Sequence, residues 1–256
     1  MALTFASASS QYLSQASALL TAVPLTAACW FNSDNDANEQ NLFGIGDTGA
    51  ANGDRFQMNI DGSAPGDPVT VITRAGGSAA ITTTTAAYSI NTWHHACGVW
   101  AAIDSRTAYL DGGNSATNTT SRTPAGLDVT YIGARAAQTP TGFMRGRIAE
   151  VGLWNVVLDA DEIAALAKAV SPLLIRPASL VAYWPLIGRY SPEIDIVGGA
   201  DMTLVNAPTN GDHCRIFYPP RPQRYSFAAA VAATRSTRLV QGGPTHYGLS
   251  PGGLVA

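Results

Sequence analysis

Between Asn91 and Leu158 the chain reads NTWHHACGVW, TAYLDGG, YIGARA and FMRGRIAEVGLWNVVL. These runs alternate with a period of two, the spacing at which successive side chains of an extended strand point to opposite faces. Trp93, His95, Cys97 and Val99 share one face, and His94, Ala96, Gly98 and Trp100 share the other. Large apolar groups on both faces require a strand lying between two packed layers. Arg106 to Leu110 forms the next strand, and Asp111-Gly112 supplies the positive φ of a tight hairpin turn. Arg147 to Asn155 repeats the alternation, with Ile148, Glu150, Gly152 and Trp154 opposing Arg147, Ala149, Val151, Leu153 and Asn155.

Further short strands are predicted at Leu3–Phe5, Gln11–Leu13, Leu25–Phe31, Leu42–Gly46, Phe56–Ile60, Val69–Arg74 and Ile81–Thr85. They are separated by turn clusters such as GDTGAANGD and DGSAPGDP. Asn32 to Asn41 reads as a polar loop. Strands recurring at this short spacing specify an all-β sandwich or barrel. One segment breaks the pattern: Asp159 followed by Glu162 forms a capping box, and Ile163, Leu166, Ala167 and Val170 make a helical apolar stripe. This short helix is stopped at Ser171-Pro172. Leu180–Leu186 and Met202–Val205 return to strand.

The chain has 256 residues, of which only 13% are charged, about half the usual share. Net charge is −3, but its distribution is uneven. Residues 219–256 contain Arg221, Arg224, Arg235 and Arg238 and no acid; the 15 basic groups less these four leave 11 against 18 acids before Pro219. The sequence therefore divides into a negative sandwich, residues 1–218, and a positive Pro/Gly/Ala-rich arm, residues 219–256. A negative overall charge and so few cations do not suit a nucleic-acid binder. Within the arm, Arg221, Arg224, Tyr225, Phe227, Arg235 and Arg238 combine the residue types enriched in protein interfaces, so a protein partner is expected. Cys29, Cys97 and Cys214 are odd in number and without metal spacing, and are read as buried reduced thiols. The opening MALTFASASSQYLS does not have the form of a signal peptide. No run approaches the roughly 20 apolar residues of a membrane span.

The segments TAACWF, Trp93 to Cys97, YLDGG at Tyr109–Gly113, YIGA at Tyr131–Ala134, and FMRGRIAEVGLWNVVLDADEI at Phe143–Ile163 occur in an order that resembles the laminin-G-like, concanavalin A-like jelly roll. That resemblance covers residues 5–186 and implies two antiparallel sheets in a sandwich with one short helix. SPLLIRPASLVAYWPL and the Pro-rich end are similar to laminin-G-like proteins of tailed bacteriophages and prophages.

The same superfamily includes glycoside hydrolases, which use two carboxyl groups about 5 to 10 Å apart. Of the four glutamates, Glu39, Glu150 and Glu162 have no acid two positions away and only Glu193 does, in Asp195; no Ser or Cys lies in a nucleophile-elbow context, and no enzymatic activity is expected. His94 and His95 are adjacent and face apart, so they cannot share one ion. The resemblance implies that calcium is the possible cofactor, with Asp34, Asp36 and Asn38 as its candidate ligands; Glu39 in place of the turn glycine breaks the EF-hand pattern. Trp30 and Trp100 alternate away from the apolar faces of their strands and are the candidate sugar-stacking platforms.

The expectation is a non-enzymatic structural protein of a tailed-phage virion. It would be a head decoration or tail-associated protein, made in the host cytoplasm without a membrane stage, arrayed symmetrically, and fastened to neighbouring virion proteins by its arm. The alternative is a carbohydrate-binding module for cell-surface glycans.

Overall fold

Two antiparallel sheets face each other across a continuous apolar core in the computed structural model, which describes residues 1–50 and 52–218. In chain order the strands are β1 (Ala2–Phe5), β2 (Tyr12–Gln15), β3 (Leu25–Ser33), β4 (Glu39–Gly46), β5 (Arg55–Asp61), β6 (Val69–Ala75), β7 (Ser78–Thr83) and β8 (His94–Ala102). They continue with β9 (Ser105–Leu110), β10 (Gly113–Asn118), β11 (Val129–Ile132), β12 (Gly146–Trp154), β13 (Leu180–Trp184), β14 (Thr203–Val205) and β15 (Thr209–Gly211). The first sheet runs β10-β9-β8-β3-β12-β1-β15, with β13 also on β12; the second runs β14-β2-β11-β4-β5-β6-β7. The all-β, two-sheet sandwich expected from the alternation is the fold observed.

Alternation on β3 and β8 sorts the side chains as the sequence requires. Leu25, Ala27, Cys29 and Phe31 point into the core between the sheets, while Ala28 and Trp30 point outward. On β8, Cys97 and Val99 face outward and Ala96 and Trp100 face inward. Trp100 is therefore not a sugar platform: it is 0% exposed, with its indole Nε1 donating to the Ile72 carbonyl at 3.2 Å. The reason lies two residues earlier, because the ring folds back over Gly98, where an added Cβ would stand 2.9 Å from Trp100 Cη2. Trp154 lies over Gly152 in the same way and donates to the Ile175 carbonyl at 2.8 Å. A glycine two residues before a tryptophan on one strand thus marks a buried indole whose N–H finds a carbonyl.

One strand departs from its predicted alternation. The register of β12 against β3 shifts between Ala149 and Gly152, and Glu150 has φ +56°. Ile148, Val151 and Leu153 all enter the core, which two-residue spacing alone would forbid, so the extra residue of this bulge turns Glu150 to the outer face beside Ala149. A left-handed conformation at a non-glycine residue costs about 1–3 kcal/mol and persists only where its surroundings hold it.

The outer face of the first sheet is covered twice. Helix α1 (Ala160–Ala167) begins with the predicted capping box, Asp159 accepting from the Glu162 N–H and Glu162 from the Asp159 N–H. It buries Ile163 and Leu166 against Ala28, Cys97, Val99 and Trp154. Farther along, residues 212–218 lie over Ala2 and Ala149 as a strap. The strap is stitched at its far end, where Phe217 N donates to Ala169 O at 2.7 Å and Ser171 N to Phe217 O at 3.1 Å.

The polar loop expected over Asn32–Asn41 is shorter than its composition suggests. β3 continues to Ser33 and β4 begins at Glu39, because Ser33 and Gln40 hydrogen-bond each other and bury their polar ends. All three cysteines are free and buried. No helix among the described residues is long and apolar enough to cross a membrane.

Candidate functional site

The second sheet carries a different outer face, built from the polar halves of β4, β5 and β6. Phe56, Met58 and Ile60 of β5 enter the core, so Arg55, Gln57 and Asn59 must face out; Val69 and Val71 of β6 leave Thr70, Ile72 and Arg74 outward. Cross-strand register sets these residues in rows: Asn41 opposite Asn59 opposite Thr70, then Gln57 opposite Ile72 opposite Ile81, then Arg55 opposite Arg74. Residues 133–143 cross this face above β4. Ala136 sits over Gly44 and Gly46, and any side chain at Gly46 would collide with the Ala136 carbonyl.

A hydrogen-bonded chain runs across the rows. Arg55 Nε donates to Gln57 Oε1 at 2.6 Å, Gln57 Nε2 to Glu39 Oε1 at 3.2 Å, and Arg135 Nη2 to the same Glu39 oxygen at 3.1 Å. Arg55 is 5% exposed, whereas the side chains of Glu39 and Arg135 are 31% and 28% exposed. The buried members are a floor that fixes the orientation of an accessible lip. Burial pushes the Arg55 guanidinium down to about 10, and the neighbouring charges of Arg135 and Arg74 push in the same direction, against a smaller upward pull from Glu39 and Asp54. Among the described residues no carboxylate lies within 4.0 Å of Arg55 or Arg74. In the adjoining row, Asn41 Oδ1, Asn59 Oδ1 and Thr70 Oγ1 are buried without a hydrogen-bond partner. Beyond β4, Tyr12 packs on Tyr131 at 5.1 Å and on Phe143 at 6.0 Å, an aromatic border to the polar floor.

Sequence reasoning missed this constellation because an arginine on a strand reads as a solvated face. The signal that could have found it is the polar half of Arg55-Phe-Gln57-Met-Asn59, three long polar side chains on the same face of one strand.

The residues singled out from sequence fall elsewhere. Trp30 is partly exposed on the outer face of the first sheet, edge-on to His95 at 5.5 Å and beside the strap. Asp34 pairs with Arg145 at 2.7 Å, and Asn38 contributes its carbonyl to Gly62 N at 3.2 Å. Asp34, Asp36 and Asn38 are all exposed, and no group of three or more His, Cys, Asp or Glu among the described residues could hold a metal ion. Arg221, Arg224, Tyr225, Phe227, Arg235 and Arg238 lie outside the described residues.

His94 and His95 do face apart. His94 meets Asp111 at 2.7 Å at the sandwich edge. His95 is buried against Trp30, and burial lowers its pKa to about 4 in spite of Asp111 nearby. Asp111 is held below the usual carboxylate range, because hydrogen bonds from the His94 ring and the His95 N–H outweigh its own burial.

Glu150, which sequence left without a partner, is the hub of a buried cluster. It accepts from the Tyr183 hydroxyl, from the Tyr218 hydroxyl at 2.7 Å, and from His213 Nε2 at 3.1 Å. Burial, then the Glu150 charge, raise the pKa of the Tyr183 hydroxyl. Glu162 caps the helix and Glu39 pairs with Arg135, whereas Glu193 is buried with its Oε1 unpartnered, and burial raises its pKa.

Comparison with solved structures finds the same sandwich at low identity. A putative carbohydrate binding protein from Bacteroides ovatus is 19% identical with a TM-score of 0.57, covering 81% of this chain and 60% of that one. The Ruminococcus gnavus IT-sialidase CBM40 bound to alpha2,6 sialyllactose is 15% identical with a TM-score of 0.52, covering 65% and 97%. The same module bound to alpha2,3 sialyllactose gives 17% and 0.51, covering 57% and 84%. At these identities the likeness is one of fold. No curated protein matches the sequence. The family model for the laminin G-like group of the concanavalin A-like lectin/glucanases superfamily matches residues 7–164. With well over half of the sequence matched and the two-sheet sandwich in place, this chain belongs to that superfamily.

Proposed function

We propose that this chain is a carbohydrate-binding module, and that it takes a saccharide bearing an acidic group on the outer face of β4, β5 and β6. The carrying observation is the chain Arg55–Gln57–Glu39–Arg135, with Arg74 directly across from Arg55. Like charges directly opposite on neighbouring strands are destabilising. An anion bound between Arg55, Arg74 and Arg135 relieves that repulsion, and guanidinium groups match carboxylates in a bidentate way. The Glu39 carboxylate and the polar floor then offer acceptors to sugar hydroxyls, and the Tyr12–Tyr131–Phe143 border offers apolar rings to the sugar face. Two proteins of the same fold are named for carbohydrate binding, one of them with a sialylated ligand, which supports this reading.

The test is a glycan array with the full chain, followed by titration of any hit against Arg74→Ala and Arg135→Ala. Binding of acidic glycans, weakened about tenfold or more by either variant, is expected. No binding, or binding that ignores both variants and responds only to Trp30→Ala, overturns the assignment.

A second reading is favoured by the charge split between the body and residues 219–256. In it the positive segment fastens the sandwich to neighbouring proteins of a large assembly such as a tailed-phage virion, and the glycan face points outward. Deleting residues 219–256 is then expected to remove the protein from particles while leaving glycan binding intact.

A further inference from the structure

The strap over the first sheet is fastened by a charged pair whose protonation the geometry decides. His213 Nδ1 lies 2.5 Å from the Cys214 carbonyl oxygen, and Nε2 lies 3.1 Å from Glu150 Oε1 and 3.4 Å from the Pro185 carbonyl oxygen. With Glu150 as a carboxylate that accepts tyrosine hydroxyls on both oxygens, all three oxygens are acceptors, so both ring nitrogens donate, which only the imidazolium can do. The Cys214 thiol stands at 3.7 Å from Nδ1, well behind the carbonyl, and the Tyr183 and Tyr218 hydroxyls give their protons to Glu150. A neutral ring would turn a lone pair on one of these oxygens. Glu150 is 2% exposed and sits on a bulge whose φ of +56° exists to aim it here.

We propose that residues 212–218 form a proton-gated clasp, closed by the His213 imidazolium on Glu150 and loosened when that proton leaves. The groups facing the pair are Glu150 from β12, Tyr183 from β13, Tyr218 and Cys214 from the strap itself, and the Met1 amino group, which lies close to Cys214. Glu150 keeps both tyrosine hydroxyls when His213 is neutral, so the sheet stays folded and the change is confined to the strap. Burial alone would lower the His213 pKa; the hydrogen bonds to Glu150 and the Cys214 carbonyl outweigh it and raise the pKa above 6.5. A histidine with a raised folded pKa contributes its full stabilisation below the unfolded value and loses it as pH rises through the folded value. The clasp is therefore tightest in mild acid and opens toward alkaline pH. With Tyr218 still on Glu150 and Phe217 still on Ala169, the loosening is centred on His213 and Cys214.

Two measurements on the full chain test this. Side-chain nitrogen NMR should show His213 doubly protonated at pH 6 and titrating above the ordinary histidine value; a neutral ring at pH 6 overturns the proposal. Hydrogen exchange of amides 213–218, corrected for the intrinsic pH dependence, should lose about tenfold in protection for each unit that the folded pKa stands above the unfolded one. His213→Gln, which keeps a donor for Glu150 but cannot titrate, should show flat protection across the same range. Identical pH curves for the two proteins overturn it as well.

Discussion

The two outer faces of this sandwich solve opposite problems. The first sheet is closed from outside: α1 covers Cys97, Val99 and Trp154, and the strap covers Ala2 and Ala149. The buried carboxylate under that cover, Glu150, is met by a histidine and two tyrosines. Among the described residues the outer face of the second sheet is crossed by residues 133–143, and its buried charge, Arg55, hydrogen-bonds two side-chain amides and a carbonyl, with Glu39 and Asp54 acting from beyond salt-bridge distance. A charge answered within the chain is architecture, and one left unanswered beside a partly exposed lip is a place for something else to bind.

That contrast can be broken most severely in the layers that both faces share. Trp100→Ala removes a fully buried indole from the core and is expected to cost about 3–5 kcal/mol in chemical denaturation. Glu150→Ala leaves the His213 cation and two hydroxyls without their acceptor and should cost about 3–5 kcal/mol at pH 6. Arg135→Ala on the open face should cost little in stability, within about 1 kcal/mol, while acidic-glycan affinity falls about tenfold. If instead Arg135→Ala destabilises as much as Glu150→Ala, the two faces are alike and the distinction fails. The smallest effect is expected at Asp34→Ala, whose pair with Arg145 is about half exposed on both sides and should contribute about 0–1 kcal/mol, measured by thermal unfolding with and without calcium. A large calcium-dependent shift there would restore a cation role to that loop.

The fold was legible because alternation is a local property. Cys97 and Val99 against Ala96 and Trp100, and Asp159 with Glu162, carry their structural meaning in neighbouring letters. Only the choice of which β8 face is the core was not written there, since it depends on the ring of Trp100 finding room above Gly98 between the sheets. The bulge at Glu150 was illegible for a related reason: a two-against-one mismatch is defined by the partner strand β3, more than a hundred residues earlier. Both clusters around buried charge join residues far apart in sequence. Glu150 meets Tyr218 and His213, and Glu39 meets Arg135, contacts that the topology creates and no motif announces. Trp30 lies on the outer side of its strand, and the strap and His95 share its surroundings.

The placement of the five tryptophans gives the molecule a built-in optical readout. Trp100 and Trp184 are sealed between the sheets and Trp154 beneath α1, so none of the three borders the strap. Trp30 and Trp93 are partly buried in the small cluster under the strap, with the Trp93 ring 6.5 Å from that of His213. Their emission should shift when residues 212–218 lift, with the other three as a constant background, so local and global opening can be separated in one unlabelled sample by wavelength.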